Sequence, residues 1–393
     1  MSLKGMDYLV LALCNLPILY FLRSCWANKA YTLNERILLV LLWLVHLTFS
    51  GVFASYILER GGDSHGLWHL TADTSQYAQD WMGYFGINTF FVQWLNYFPS
   101  KILGLSYWSG TFIYSTLSFG AIALLFFSFR QLIQQNKESL SLRYLLYLPL
   151  FLPGLHFWTA GVTKECLLLL GLALLFYAFG SQKFKGLPGI LGWAICLLTR
   201  PLVGILFLPI LIWLLYPFFK KSLTKTMLLL LGLGYLLFMA IRQFLAYLHL
   251  DELSWESLML LSKNQFGFLD SFQSSTAVPM TDMNLSERMV AVFFRPFIWE
   301  SWDFYSLVFA LENTWFMLIM LVALLVIIWR KSFNIPFIAK YYLIIAFGMF
   351  LVFTFTLNNF GLFYRMKSIW LPFLQFPMLW LICKAYPHLK KSP

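Results

Sequence analysis

Residues 37–57 have the sequence ILLVLLWLVHLTFSGVFASYI, which contains no Asp, Glu, Lys or Arg. A helix needs about 20 predominantly apolar residues to cross the hydrocarbon core of a bilayer, so this run predicts a transmembrane helix. The whole chain has the same bias, because 60% of its 393 residues are hydrophobic and only 11% are charged. In a soluble domain about a quarter of the residues are charged. The chain is therefore predicted to be an integral membrane protein.

Apolar runs of this kind recur along the chain and define its predicted architecture. By their length they predict an all-α, polytopic membrane protein of about 11 transmembrane helices, folded as a single domain over residues 1–393. The predicted helices lie at 7–22, 37–57, 107–129, 144–160, 163–180, 187–199, 202–217, 227–248, 304–329, 337–357 and 369–386. The fourth and fifth of these helices are predicted to form a tight hairpin, as are the sixth and seventh, with turns below the membrane surface.

Basic residues divide unequally between the two sides of the predicted bundle. More than half of the 28 Lys and Arg residues fall on the side opposite the segment that follows the second helix, where only Glu35 and Glu138 are acidic. Cytoplasmic loops are enriched in Lys and Arg, so the N-terminus is predicted to lie outside and the C-terminus in the cytoplasm. The net charge of +11 comes from these short clusters, which argues against a nucleic-acid partner.

Two segments are predicted to leave the membrane on the outer face. They are residues 58–106, between the second and third helices, and residues 250–303, between the eighth and ninth. Within the first segment the run 88–103 is apolar but contains Gln93 and Lys101, so it predicts an interfacial or re-entrant helix rather than a span. Three of the candidate site residues, Asp63, Arg295 and Glu300, lie in these two loops.

The first outer loop contains Asp63, directly after Gly61 and Gly62. Paired glycines permit a tight turn with positive φ, which would hold the carboxyl group close to the membrane surface. Partial desolvation there is expected to raise the pKa of Asp63 and to suit it to general-base catalysis. The alternative is a solvated acid that caps a helix. The nearby His65 and His69 are polar-face residues or, in a second interpretation, ligands of a divalent cation.

Basic residues at the predicted turns indicate an anion-binding site. Lys164, followed by Glu165, and Arg200 interrupt apolar runs at membrane depth, where a charge is costly and faces a polar cavity or a partner. Arg365 and Lys367 lie between the last two predicted helices. The phosphate or diphosphate of a lipid-linked donor suits these side chains, and an arginine offers it two parallel hydrogen bonds. The alternatives are structural ion pairs and interfacial anchoring.

The second outer loop ends in the sequence FRPFIWESW, in which Arg295 and Glu300 stand among aromatic side chains. This mixture suits a surface that stacks on sugars or binds lipid headgroups. The alternative is an aromatic belt with a local ion pair between Arg295 and Glu300. Glu312 lies inside the next predicted helix. An isolated acid in a membrane usually pairs with a cation, so Arg200 or Arg365 is its predicted partner.

Short motifs along the chain resemble those of a group of bacterial polytopic membrane proteins with polysaccharide and glycoconjugate functions, which are relatives of the GT-C membrane glycosyltransferases. The matching segments are Gly62-Asp63-Ser64, FWTAGVTKE at 157–165, Thr199-Arg200-Pro201, FRPFIWE at 294–300 with Leu311-Glu312, and Asn359-Phe360-Gly361 through Arg365-Met366-Lys367. Their order and spacing, rather than any single motif, carry the resemblance.

The resemblance implies a GT-C-like fold and an enzyme of the bacterial cytoplasmic (inner) membrane. Such an enzyme uses a polyprenyl-phosphate-linked sugar donor and a glycan acceptor at the periplasmic face, and Asp63 matches the position of its catalytic base. The resemblance also implies a site for the donor phosphate, in which acids orient cations: Lys164, Glu165, Arg200, Arg295, Glu300, Glu312, Arg365 and Lys367. The second acid of the usual pair is absent, because Ser64 follows Asp63, so no residue is assigned as a metal ligand.

Three other functions are compatible with the sequence. The first is a repeat-unit polysaccharide polymerase. The second is a lipid-linked oligosaccharide transporter, which would carry polar residues on both leaflets along one pathway, often with internal repeats. This chain concentrates its acids on one face and shows no repeat, which favours one-sided chemistry. The third is a non-catalytic subunit of an envelope complex.

Overall fold

A computed structural model of the chain describes residues 3–75, 78–136, 142–180, 186–219, 254–271, 276–331 and 334–389, together with a few positions between 222 and 238. Within these ranges the regular structure is helical, apart from one isolated antiparallel bridge between Ala277 and Asn359. The prediction of an all-α protein is therefore confirmed for the described part of the chain.

Fifteen α-helices are numbered here in chain order. They are α1 (Gly5–Ala27), α2 (Leu33–Arg60), α3 (Asp63–His69), α4 (Thr89–Asn96), α5 (Tyr107–Gln135), α6 (Pro153–Thr159), α7 (Lys164–Gly180), α8 (Gly186–Thr199), α9 (Pro201–Leu206), α10 (Leu208–Phe219), α11 (Trp255–Asp270), α12 (Leu285–Phe294), α13 (Phe304–Arg330), α14 (Phe337–Thr354) and α15 (Phe360–Leu389). A π-helical turn at Tyr97–Ile102 follows α4, and 3-10 helices cover Met82–Tyr84, Arg143–Phe151 and Ile298–Glu300.

Six of the described helices are long and apolar enough to cross a membrane: α1, α2, α5, α13, α14 and the part of α15 up to Tyr386. The number rises to seven if α6 and α7, which are bent by 113° at the break between them, are counted as one broken span. The chain is thus a helical membrane protein. The predicted helix at 227–248 lies almost wholly outside the described residues, so the total of about 11 helices stays a prediction.

Two predicted helices are interrupted, and proline accounts for both interruptions. Residues 144–160 form a 3-10 helix and then α6, which begins at Pro153. Residues 202–217 are divided at Phe207, just before the Leu208-Pro209 pair that opens α10. A proline has no backbone N–H to donate and disfavours helical geometry in the residue before it. The fourth predicted helix is therefore not one continuous α-helix, and the chain bends by 113° between α6 and α7, at the place of the predicted turn.

Helix α15 lies at the centre of the bundle. Of its most apolar stretch 89% is buried, against 67% for α5 and 22% for α1. Large aromatic side chains fill the space around it: Phe376 packs on Phe129 at a ring distance of 4.1 Å, and Phe373 packs on Phe176 at 4.7 Å. Polar groups on α15 are consequently surrounded by protein.

Both predicted outer loops lie at one end of this bundle, called the site end below. The backbone N–H of Asn88, in the first loop, donates to the carbonyl of Leu198 at the end of α8, at 2.6 Å. The backbone N–H of Val278, in the second loop, donates to the carbonyl of Asn358 just before α15, at 2.7 Å. The run 88–103 forms only the short α4 and the π-helical turn, in agreement with the prediction that it does not span the membrane.

Labelling of introduced cysteines is expected to place the site end outside the cytoplasm. In intact cells, an impermeant maleimide should react with Ser75→Cys and Ser286→Cys, which are exposed positions in the two loops, and spare Lys29→Cys at the opposite end. The native background is low, because four of the five free cysteines are buried and Cys14 is partly buried. Labelling of Lys29→Cys together with protection of both serine positions would reverse the predicted orientation.

Candidate functional site

The turn between α2 and α3 places Asp63 at the site end. Gly61 and Gly62 have φ angles of +79° and +140°, values that side chains disfavour and glycine tolerates. The expectation that paired glycines form this turn is confirmed. Ser64, which follows Asp63, is buried. Its Oγ donates to the carbonyl of Val162 at 2.8 Å and lies 2.7 Å from the Tyr107 hydroxyl. These bonds fix the start of α3 against α5 and the segment that leads into α7.

Four charged side chains from distant parts of the chain meet next to this turn. Arg365 Nη1 donates to Asp63 Oδ2 at 2.9 Å, and Arg365 Nε lies 2.6 Å from Glu165 Oε2. The other oxygen of Glu165 accepts from Arg200 Nη2 at 2.9 Å. With Lys164, the neighbour of Glu165, these residues are called the charge cluster. Asp63 is thus paired directly with Arg365, one of the cations that the sequence assigned to a phosphate site.

Exposure differs sharply along the charge cluster. The Glu165 side chain is fully buried and that of Arg365 is 9% exposed, whereas half of the Asp63 side chain and 26% of the Arg200 side chain are accessible. A buried carboxylate between two guanidinium groups is stable only because its charge is matched on both sides. The accessible ends of the cluster, Asp63 and Arg200, are the groups that a bound molecule would reach first.

The pKa of Asp63 is shifted in the opposite direction to that expected from the sequence. Burial raises it, but the positive charge of Arg365 and its hydrogen bond, together with the charges of Lys164 and Arg200, lower it by more. The net result is a pKa below the ordinary aspartate value, so the carboxyl group is ionised at neutral pH. The prediction of a raised pKa was wrong because it considered desolvation without the cations that the fold brings to this place.

The charge cluster contains hydrogen-bond donors that the described residues leave without an acceptor. They are Nη2 of Arg365, Nε of Arg200 and the indole N–H of Trp158, all buried. The Arg365 guanidinium lies over the Trp158 ring, 6.0 Å from its centroid. Buried donors are almost always hydrogen-bonded in proteins. Three of them beside a cluster with one more cation than anion suit an additional negatively charged oxygen ligand.

Other predicted binding residues belong to a second hydrogen-bonded group. Arg295 Nε donates to Glu300 at 2.8 Å, which is the local ion pair that the sequence allowed as an alternative. Lys367 Nζ donates to the carbonyls of Phe293 and Arg295, both at 3.0 Å, and to the Asn313 side chain at 2.9 Å. All three ammonium hydrogens of Lys367 are thereby used within the protein, and its phosphate contact stays a prediction.

Glu312 also differs from its predicted role. Its carboxylate accepts from the backbone N–H of Gly154 at 2.6 Å, at the start of α6. The acids Asp63 and Glu165 take the places beside Arg200 and Arg365 that the sequence assigned to Glu312. The pairing was mispredicted because a lone membrane acid can be satisfied by an unbonded N–H in the first turn of a helix as well as by a cation.

The two histidines of the first loop do not assemble a metal site in the described part of the chain. The rings of His65 and His69 lie 4.4 Å apart, and His65 packs near Tyr107. The nearby Asp73 accepts a hydrogen bond from the backbone N–H of Ser75 at 3.0 Å. Among the described residues no three His, Cys, Asp or Glu side chains gather closely enough to hold a metal ion.

No family model, no curated protein and no solved structure matches this chain. The resemblance to GT-C glycosyltransferases therefore remains an expectation from the short motifs. The function must be argued from the charge cluster itself. Sequence reasoning named all five members of the charge cluster but gave no structural role to Ser64, Tyr107 or Trp158, which hold or flank them.

Proposed function

We propose that the chain is a membrane glycosyltransferase that acts on a polyprenyl-phosphate-linked sugar or glycan at the charge cluster. The observation that carries the proposal is the direct pairing of an accessible, ionised carboxylate, Asp63, with Arg365, which is joined through buried Glu165 to Arg200. Transfer of a glycosyl group from a phosphate needs both the carboxylate and the cations of this arrangement. A base accepts a proton from the acceptor, and cations stabilise the departing phosphate.

The cations of the cluster suit the phosphate of a lipid-linked donor. Arg200, Lys164 and Arg365 outnumber the two acids, and a guanidinium group can bind two oxygens of one phosphate at once. The cluster stands where α2, α7, α8 and α15 begin or end. A prenyl chain lying in the bilayer would therefore bring its headgroup to this level. In a bacterial inner membrane with the predicted orientation, this is the periplasmic face.

Asp63 would act on the acceptor. As the acceptor oxygen forms its bond to the anomeric carbon, the bond from that carbon to the phosphate oxygen breaks and the hydroxyl proton passes to Asp63. The phosphate leaves with the bonding electron pair, and its added charge is met by Arg200 and Lys164. A carboxylate with a lowered pKa is a weak base, but it is present in its ionised form at neutral pH, and Arg365 fixes its direction. Arg365 is in this sense a positioning residue.

Replacement of Arg200 by lysine is expected to weaken phosphate binding by at least about tenfold, the effect of losing one charge-assisted hydrogen bond, for which about 1.5–3 kcal/mol is typical. The charge is kept, but the planar guanidinium that bonds to Glu165 and offers a further N–H is lost. The measurement is binding of polyprenyl phosphate to the purified chain in lipid nanodiscs, with the uncharged polyprenol as the reference ligand.

Arg330→Lys is the matched control, because Arg330 is exposed at the last turn of α13. It should bind polyprenyl phosphate as the unmodified chain does. Equal affinity of the unmodified chain for polyprenyl phosphate and polyprenol would contradict the phosphate site altogether. Normal binding and normal glycan transfer in Arg200→Lys would reduce Arg200 to a structural partner of Glu165.

A further inference from the structure

Two histidines meet inside the bundle, away from the charge cluster. His46 of α2 and His156 of α6 face each other with their Nδ1 atoms 3.0 Å apart, and both residues are at most 1% exposed. His46 Nε2 lies 2.7 Å from the Ser118 hydroxyl of α5. The opposite nitrogen of the pair, His156 Nε2, is buried and meets no hydrogen-bond partner among the described residues.

The depth of this pair makes it unusual. His46 lies at the middle of α2, which extends over Leu33–Arg60, so it is about 20 Å from either end at 1.5 Å per residue. That position is close to the middle of a bilayer, whose hydrocarbon core is about 30 Å thick. Ionisable side chains at such depth are rare, and they commonly mark a pathway or a site for ions or protons.

A count of protons shows what the pair can bind. Two neutral imidazoles carry two ring protons; one lies in the Nδ1–H···Nδ1 bond and the other on one of the two Nε2 atoms. A third proton can occupy the remaining Nε2 without breaking the central bond. The product is an imidazolium that donates to a neutral imidazole, and a hydrogen bond from a charged donor is stronger than the neutral one. A lone histidine has no such second ring to share the charge.

The groups in contact with the pair are uncharged: Phe49 stacks on His156 and Phe119 lies near His46. A cavity of about 10 Å³ beside His46, about the room that one water molecule needs, has the polar side chains Asn15, Ser115 and Thr116 in an otherwise largely apolar lining. The elements packed around the pair carry titratable or charged groups, among them Cys14 on α1, Tyr114 on α5, Tyr147 in the 3-10 helix, Cys166 on α7, Glu312 on α13 and Lys367 on α15. Within the described residues none of these bonds to either imidazole ring, since Glu312 is held by Gly154 and Lys367 by Asn313 and two carbonyls.

We infer that His46 and His156 form a proton-binding dyad at the centre of the membrane domain, which takes up a single proton and shares it across the Nδ1···Nδ1 bond. Ser118 and the small cavity provide the polar contacts through which that proton arrives or leaves. The dyad joins α2, which leads to Asp63, with α6, which leads to Lys164 and Glu165. Its protonation therefore acts on the contact between the two helices that directly precede Asp63 and the Lys164-Glu165 pair in the chain.

The test is an NMR titration of the full chain in lipid nanodiscs with ¹⁵N-labelled histidine, from about pH 8 to about pH 4, around the ordinary imidazole pKa of about 6.5. The signals of His46 and His156 should move together with one midpoint and account for one proton per chain. A scalar coupling between the two Nδ1 nuclei should report the shared bond. His156→Gln should abolish the coupling and change the titration of His46, whereas His65→Gln in the first loop should change neither.

Two results would overturn the dyad. One is independent titration of the two rings in the unmodified chain, and the other is a pair that stays neutral down to about pH 4 while the chain remains folded, well below the ordinary imidazole pKa of about 6.5. Because the unmodified chain decides both, a variant that fails to fold leaves the test intact. The titration needs no lipid-linked sugar, so its outcome is separate from that of the proposed glycosyltransferase activity.

Discussion

Replacing Asp63 by asparagine is expected to reduce glycan transfer by about 10²–10⁴-fold, the usual contribution of a general base, while the fold is kept. Asparagine has almost the same shape, and its carbonyl oxygen can still accept from Arg365, but it cannot take up the acceptor proton. The measurement is transfer of labelled sugar from a polyprenyl-phosphate donor by membranes containing the variant, with thermal unfolding of the purified protein as the test of folding.

Glu59→Gln is the control for Asp63→Asn, because Glu59 is an exposed acid a few residues earlier in the chain. It should leave transfer unchanged.

The pH dependence of the ion pair between Asp63 and Arg365 gives a further check. Since the pKa of Asp63 is lowered, its ion pair with Arg365 is fully present above the ordinary aspartate pKa of about 3.9. It is lost only as the pH falls through the still lower value of the folded protein. An Asp63→Asn variant with full activity would remove the catalytic assignment.

Replacing Glu165 by glutamine is expected to destabilise the folded chain by about 3–5 kcal/mol, the cost of removing one partner from a buried ion pair. Glu165 is fully buried and, among the described residues, is the one that forms ion pairs with both Arg200 and Arg365. Without its charge, two guanidinium groups face each other with only Asp63 to balance them. The measurement is thermal unfolding in nanodiscs, with the exposed Glu256→Gln as a control that should change stability by less than about 0.5 kcal/mol.

A double replacement separates the charge effect from simple loss of packing. Glu165→Gln combined with Arg200→Gln removes one charge of each sign, so it should cost less than the sum of the two single changes. Residues in one ion-pair network typically show interaction energies of about 0.5–3 kcal/mol in such a cycle. Strict additivity, or a Glu165→Gln variant as stable as the Glu256→Gln control, would mean that the buried network contributes little to the fold.

The sequence predicted the helical membrane fold because hydrophobic length is a local property. It also singled out Asp63, Lys164, Glu165, Arg200 and Arg365, because charged residues that interrupt apolar runs or follow a span stand out in the sequence, but it did not pair them. It failed at Pro153 and Pro209, where composition remains apolar but the backbone cannot continue a helix. It also failed at Glu312, whose partner is the backbone N–H of Gly154, a group that no residue pattern distinguishes from any other.

The histidine pair likewise depends on two residues that are far apart in the sequence. His46 is visible in the sequence as a polar residue in an apolar run, and such a residue signals a partner. Its partner, His156, is 110 positions away in the chain. It lies in α6, which was predicted as one helix together with the preceding 3-10 segment. Only the packing of α2 against α6 brings the two rings together.

The central position of α15 has a consequence for biosynthesis. This helix carries Arg365 and Lys367 near its start, and a charged residue on a lone membrane helix is costly unless it is paired or reaches the membrane surface. Every group that neutralises or accepts from these two side chains, namely Asp63, Glu165, Asn313 and the carbonyls of Phe293 and Arg295, precedes α15 in the chain. The ribosome therefore synthesises these partner groups before Arg365 and Lys367, and they are already present in the chain when α15 inserts into the membrane.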